Sequence, residues 1–175
     1  MGGLHVYDLI GDVITNTVYY AKINTNGTLG PWLTANPLPR SVDNLSAAVW
    51  KNRIYTIGGE DGATFRKEVY SSVIQPDGSL SVWVAQPQLP DGAAAQAEVA
   101  NGFLYVLGGG VPGNVLTSAV YYSKINDDGT LAGWNQTTSL VDFLGNLGAV
   151  AANGRIFTIG GWQGSLPSNE FSRAY

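Results

Sequence analysis

The segment VYYAKINTNGTLGPW, Val18 to Trp32, is rewritten as VYSSVIQPDGSLSVW at Val69 to Trp83 and as VYYSKINDDGTLAGW at Val120 to Trp134. The tryptophans recur 51 residues apart, and so do the leading valines. A second motif recurs between these copies: NRIYTIGG (Asn52 to Gly59), NGFLYVLGGG (Asn101 to Gly110) and NGRIFTIGG (Asn153 to Gly161). Tyr55, Tyr105 and Phe157 hold its aromatic slot. HVYDLIGD, with Tyr7 in that slot, is a worn copy near the start. A period near 50 residues points to a propeller or a related array, in which each repeat buries its faces against its neighbours.

One period reads as four strands, a to d. LSAAVW (Leu45 to Trp50) is a short apolar run, and a Lys51-Asn52 turn follows it. RIYTIGG, EVYSSVI (Glu68 to Ile74) and SLSVWVA complete the set, with a QPDG turn before the last. No segment keeps a helical period. Strands a and b are apolar at nearly every residue, which predicts burial on both faces. The paired glycines predict backbone passing close to backbone. Asn26-Gly27, Asp77-Gly78 and Asp128-Gly129 predict tight turns, since Asn, Asp and Gly tolerate positive φ. The Trp six residues after each turn is expected on strand d, wedged between blades.

Composition narrows the function classes. Net charge is -4, and no run of Lys or Arg occurs, which argues against nucleic acid as partner. No apolar stretch reaches the ~20 residues of a membrane helix, so no membrane insertion is expected. The absence of cysteine removes disulfides, thiolate metal sites and cysteine nucleophiles. No signal peptide is visible, and the first residues already read as strand.

The Gly-Gly, Tyr and Trp positions resemble the kelch-repeat β-propellers. The sets are Gly58-Gly59, Tyr70 and Trp83, then Gly108-Gly109, Tyr121 and Trp134. A third Gly-Gly lies at Gly160-Gly161, and the first copy keeps Tyr19 and Trp32. The Tyr-to-Trp spacing is 13 in all three copies, longer than the usual kelch spacing, so the c–d hairpin is extended. The long INxDGTLGxW hairpin is most similar to kelch arrays of bacterial secreted or surface proteins. That resemblance implies an extracellular or cell-surface location.

The expected fold is all-β, a propeller of four-stranded antiparallel kelch-like blades, about three and a half in this chain. One domain spans 1–175, with blade units at roughly 1–36, 37–87, 88–138 and an incomplete 139–175. NEFSRAY aligns Glu170 with Glu68 at the start of strand c. Kelch rings usually hold six or seven blades, so an open arc would expose apolar faces. Three outcomes are open: the chain is part of a longer protein, it associates with copies of itself, or it closes alone as four blades.

In such a meander the a–b and c–d turns share one face, and they are short and uniform here. The b–c and d–a loops share the other face and differ between blades. Function concentrates on variable loops held by a rigid scaffold. The ligand-binding candidates on that face are Arg40, Asp43, Glu60, Asp61, Phe65, Arg66, Asp142, Phe143, Trp162 and Gln163. Each also has a plainer reading. Arg40 and Asp43 pair at the rim or cap a turn. Glu60 and Asp61 lie in a solvated loop or help hold a cation. Trp162 packs on a blade or stacks on a sugar. Asn126 to Gly129 shares the opening of a calcium loop but lacks its later acidic ligand, so it reads as a hairpin.

No catalytic constellation emerges. His5 is the one histidine, and Gly108 to Gly110 lead into neither Gly-Lys-Ser/Thr nor a helix. Galactose-oxidase-like copper chemistry needs a cysteine-crosslinked tyrosine and several histidines. The reading is therefore a non-catalytic binding or scaffolding module, without cofactor or metal, for a protein or glycan ligand. The alternative implied by the kelch resemblance is a sugar-active enzyme of the sialic acid mutarotase type, using Glu60 and Arg66.

Overall fold

The structure is a computed structural model that describes residues 13–113 and 115–163. Tyr7, His5 and the NEFSRAY segment lie outside the described residues. Within them the chain is all-β and antiparallel. Blade one contributes β1 (Tyr19–Tyr20) and β2 (Leu33–Thr34), a c–d pair. Blade two is complete: β3 (Ser46–Trp50), β4 (Arg53–Ile57), β5 (Val69–Val73) and β6 (Val84–Gln86) pair in that order. Blade three holds β7 (Ala94–Ala100), β8 (Phe103–Val111), β9 (Val115–Leu116), β10 (Val120–Lys124) and β11 (Asn135–Thr137). Its four long-path strands repeat the meander, and β9 pairs with the end of β8. The third b–c loop is therefore a small hairpin. Blade four contributes β12 (Gly148–Ala152) and β13 (Arg155–Ile159), an a–b pair.

The a strands β3, β7 and β12 pack side by side, which places them innermost. The main core lies between blades two and three, around Tyr55, Ile57, Val69, Leu104, Val106, Ile125 and Leu131. Full burial of each large apolar side chain contributes about 1.5–3 kcal/mol. A second core joins blades one and two through Ala35, Leu38, Leu80 and Trp83. The b strands are buried as expected along most of β4 and β8. Strand a departs from expectation: in β3, Ala47 and Val49 are exposed, and all of β12 is exposed or half-buried. Among the described residues, blade one offers no a or b strand to cover β3, and no blade lies beyond β12.

The glycine pairs do what their repetition suggests. Gly58 N–H donates to Glu68 O, and Gly59 N–H to Ala93 O on the chain entering the next blade. A Cβ on Gly58 would overlap the Ala93 carbonyl, and one on Gly59 would stand 2.6 Å from Asp43 O. Gly109 N–H likewise donates to Leu144 O. Each pair is the seat for the next blade's incoming loop.

Two expectations need correction. In the c–d hairpins only the glycines Gly27, Gly78 and Gly129 have positive φ; Asn26, Asp77 and Asp128 do not. These are type I turns closed by a left-handed glycine. The Asn or Asp side chain instead accepts the backbone N–H and hydroxyl of Thr28, Ser79 or Thr130, at 2.7–3.1 Å. The tryptophans also stand one residue before β2, β6 and β11 rather than on them. There the Trp83 indole donates to Asn36 O at 2.9 Å, and the Trp134 indole to Pro87 O at 2.8 Å. Both acceptors belong to the preceding blade, so the wedge between blades stands.

Candidate functional site

The two loop sets segregate as the meander requires. The Asn52 and Gly102 carbonyls of the a–b turns accept from Ile74 and Ile125 of the c–d hairpins on one face. On the other face, d–a and b–c loops meet: Asp43 and Glu60 exchange backbone hydrogen bonds at 2.9 and 3.0 Å. One period pair later, Gly145 and Trp162 make the same exchange at 3.0 and 2.8 Å. This short extra pairing links the d–a and b–c loops of blades two and four beyond the a–b ladder.

Two clusters form there. In the first, Arg40 lies 3.7 Å from Asp61 and 3.6 Å from Glu68, and Arg66 pairs with Asp61. Arg40 thus pairs with Asp61 and Glu68, the acids nearest it across the loop, and not with Asp43. Two guanidinium groups face two carboxylates, so the cluster is neutral overall and offers little to a charged ligand. The Arg66 Nε is buried without a protein partner. It adjoins a cleft of about 20 Å³ lined by Arg40, Arg66, Glu68 and Tyr70, the scale of one water.

In the second cluster Asn44 donates to Glu60 Oε1 at 2.7 Å. Glu60 is buried rather than solvated. Burial pushes its carboxyl above the ordinary carboxylate value, the Asn44 bond pulls it back in part, and the Asp43 charge raises it. Phe65 is buried beside it, bridged to Glu60 through the backbone. Asn44 stands at φ 47°, and Asn146, two blades on, at φ 49°. Both asparagines, with Gln96, line a cleft of about 150 Å³ against the a strands of blades two to four. Its walls are amides and backbone around Leu45, Leu107 and Leu147.

The predicted residues therefore divide. Arg40, Asp61 and Arg66 come together, and so do Asp43, Glu60 and Phe65. Asp142, Phe143, Trp162 and Gln163 are exposed on the loops of blade four. Sequence reasoning missed Asn44, Asn146, Gln96 and Glu68. The pair Asn44-Leu45 and Asn146-Leu147 is a repeat in its own right, 102 residues apart, and could have marked the cleft. Among the described residues no group of three or more His, Asp or Glu side chains is placed to hold a metal.

No protein-family model matches the chain, and no curated protein matches it. Among solved structures it is similar to YjhT, a β-propeller, with a TM-score of 0.63. The chain has a β-propeller fold. The match covers 75% of this chain and 42% of YjhT, at 17% sequence identity. The matched part of this chain thus spans less than half of the length of the chain it resembles.

Proposed function

We propose that this arc is a kelch-type binding module whose loop face takes a neutral carbohydrate. The observation that carries this reading is the amide-lined cleft of Asn44, Gln96 and Asn146. Amides donate and accept at once, which suits sugar hydroxyls. The guanidinium groups of Arg40 and Arg66 are paired with Asp61 and Glu68, so these four charges cancel and the cleft itself presents amide hydrogen bonds. Exposed Phe143 and Trp162 stand on the same face, where an aromatic ring can support an apolar sugar face. The kelch assignment rests on the recurring Gly-Gly, Tyr and Trp positions, and the secreted or surface location rests on the same resemblance.

A glycan array followed by calorimetry tests the reading. We expect a saturable sugar hit that Gln96→Ala and Trp162→Ala weaken and that Thr25→Ala, on the opposite face, leaves unchanged. Loss with Thr25→Ala alone, or no hit beside a protein captured in a pull-down, would overturn it. One observation favours a second reading, a sugar-active enzyme. The Glu60 carboxyl is buried, raised and held by cleft-lining Asn44, as a proton donor for ring opening would need. Catalysed interconversion of sugar anomers, lost in Glu60→Gln, would establish that reading.

A further inference from the structure

The two ends of the arc are complementary halves of one blade. Among the described residues, blade one presents a c–d pair with β1 outermost, and blade four presents an a–b pair with β13 outermost. At several positions where an inner blade is covered by a neighbour, the terminal copy stands open among the described residues. Trp83 is 7% exposed and Trp32 64%. Leu80 is 7% exposed and Leu29 52%. Ile57 is 1% exposed and Ile159 63%. A Cβ on Gly58 or Gly108 would meet the next blade's backbone, yet one on Gly160 would meet nothing within 4 Å.

We propose that a second copy of this chain docks head to tail on the first. β1–β2 of each copy completes the blade begun by β12–β13 of the other. The register follows from β4–β5, where Arg53 pairs with Val73, Tyr55 with Ser71 and Ile57 with Val69. Shifted by the repeat, Arg155 meets Lys22, Phe157 meets Tyr20 and Ile159 meets Val18 of the second copy. The blade-to-blade bonds carry over as well. The Trp32 indole of the second copy reaches Thr138 O, as Trp83 reaches Asn36 O. The Tyr105 hydroxyl reaches Gly27 O of the second copy, as Tyr55 reaches Gly129 O. Gly161 N–H reaches Val42 O of the second copy, as Gly109 reaches Leu144 O.

Closure by a two-fold axis uses both edges of the described arc in each copy and leaves none of its described strands free. The size agrees: three quarters of this chain match 42% of the chain of a solved propeller, so two copies of the matched part span most of its length. Closure also turns the cleft at Asn44, Gln96 and Asn146 into one wall of a central channel, with the second copy supplying the other. The assembly stands independently of what the loop face binds.

The test is the solution mass of the full 175-residue chain, by light scattering after gel filtration. We expect about twice the 18.5 kDa chain mass, halved by Ile159→Asp or Trp32→Ala with an unchanged circular dichroism spectrum. The chain contains no cysteine, so the double variant Tyr19→Cys with Thr158→Cys reports the register directly. We expect oxidation to give a covalent dimer. A single-chain mass throughout the micromolar range would overturn the proposal and assign both edges to other segments of a longer polypeptide. An intramolecular disulfide would overturn it in favour of self-closure, and an open-ended series of masses in favour of a filament.

Discussion

The Tyr55 hydroxyl donates a 2.7 Å hydrogen bond to the Gly129 carbonyl, 74 residues away on the hairpin of the next blade. Tyr55 is fully buried, and its bond joins the b strand of blade two to the c–d turn of blade three. Burial raises the phenol above its ordinary value, so it stays a donor. Tyr55→Phe leaves the Gly129 carbonyl without this donor. The expected loss is about 1–3 kcal/mol in urea unfolding. An unchanged midpoint would show that the bond is replaced by solvent.

Trp83 combines burial with a hydrogen bond to the preceding blade. Trp83→Ala should cost about 3–5 kcal/mol, the range for emptying a large aromatic site. Trp83→Phe keeps most of the ring and loses only the indole donor, so it should cost clearly less. Equal losses in the two variants would mean that the Asn36 contact, and not the wedge, holds the blades together.

Gly58 and Gly102 both have positive φ, at 60° and 78°. Only Gly58 faces a neighbour: a Cβ there would overlap the Ala93 carbonyl, while one at Gly102 would meet nothing within 4 Å. Gly102→Ala should cost about 1–2 kcal/mol, the left-handed penalty alone. Gly58→Ala adds displacement of the next blade's loop and should cost about 2–4 kcal/mol. Denaturant midpoints of the two variants give the difference. Equal costs would remove the seat assigned to the glycine pair.

Glu60 has a folded pKa above its ordinary value of 4.5 because burial disfavours the charged carboxylate. The folded state therefore binds this proton more tightly than the unfolded chain. Its contribution is full below the ordinary value and is lost as pH rises through the folded pKa. Glu60→Gln, which keeps an acceptor for Asn44, should flatten that fall and raise stability near neutrality. Asp77 and Asp128 act in the opposite direction. Bonds from Ser79 and Thr130 lower them, so their contribution is lost as pH falls through their folded values. Thermal unfolding between acid and neutral pH, with and without Glu60→Gln, checks the sign.

Much of this architecture was legible because each blade meets the same surroundings. A Gly-Gly that seats a loop, a Trp that wedges a gap and a turn that needs glycine are local demands, and they repeat at a fixed interval. What escaped depends on the path of the variable loops. Arg40 could reach Asp43 in sequence, yet the d–a loop turns it towards Asp61 and Glu68. Asn44 reads as a turn residue until its left-handed φ brings its amide to Glu60. The hairpin of β9 was hidden in a stretch that reads as loop, although Pro112-Gly113 marks its turn. Exposure along β3 and β12 depends on which neighbours are present, and no single repeat records that.

Most acceptors that join one blade to the next are main-chain oxygens: Asn36 and Pro87 for the tryptophans, Gly129 for Tyr55, Asp128 for Arg53, Ala93 and Leu144 for the glycine pairs. Two are side chains of blade two: Ser46 Oγ accepts from Ala97 N–H and Gln86 Oε1 from Leu131 N–H. A carbonyl is the same whatever side chain it carries. Each blade therefore recognises mainly the shape of its neighbour's chain, and its neighbour's spelling only at positions such as Ser46 and Gln86. Side chains on the variable loops are free to drift without disturbing the ring, so long as the carbonyls of Ala93 and Leu144 keep their place.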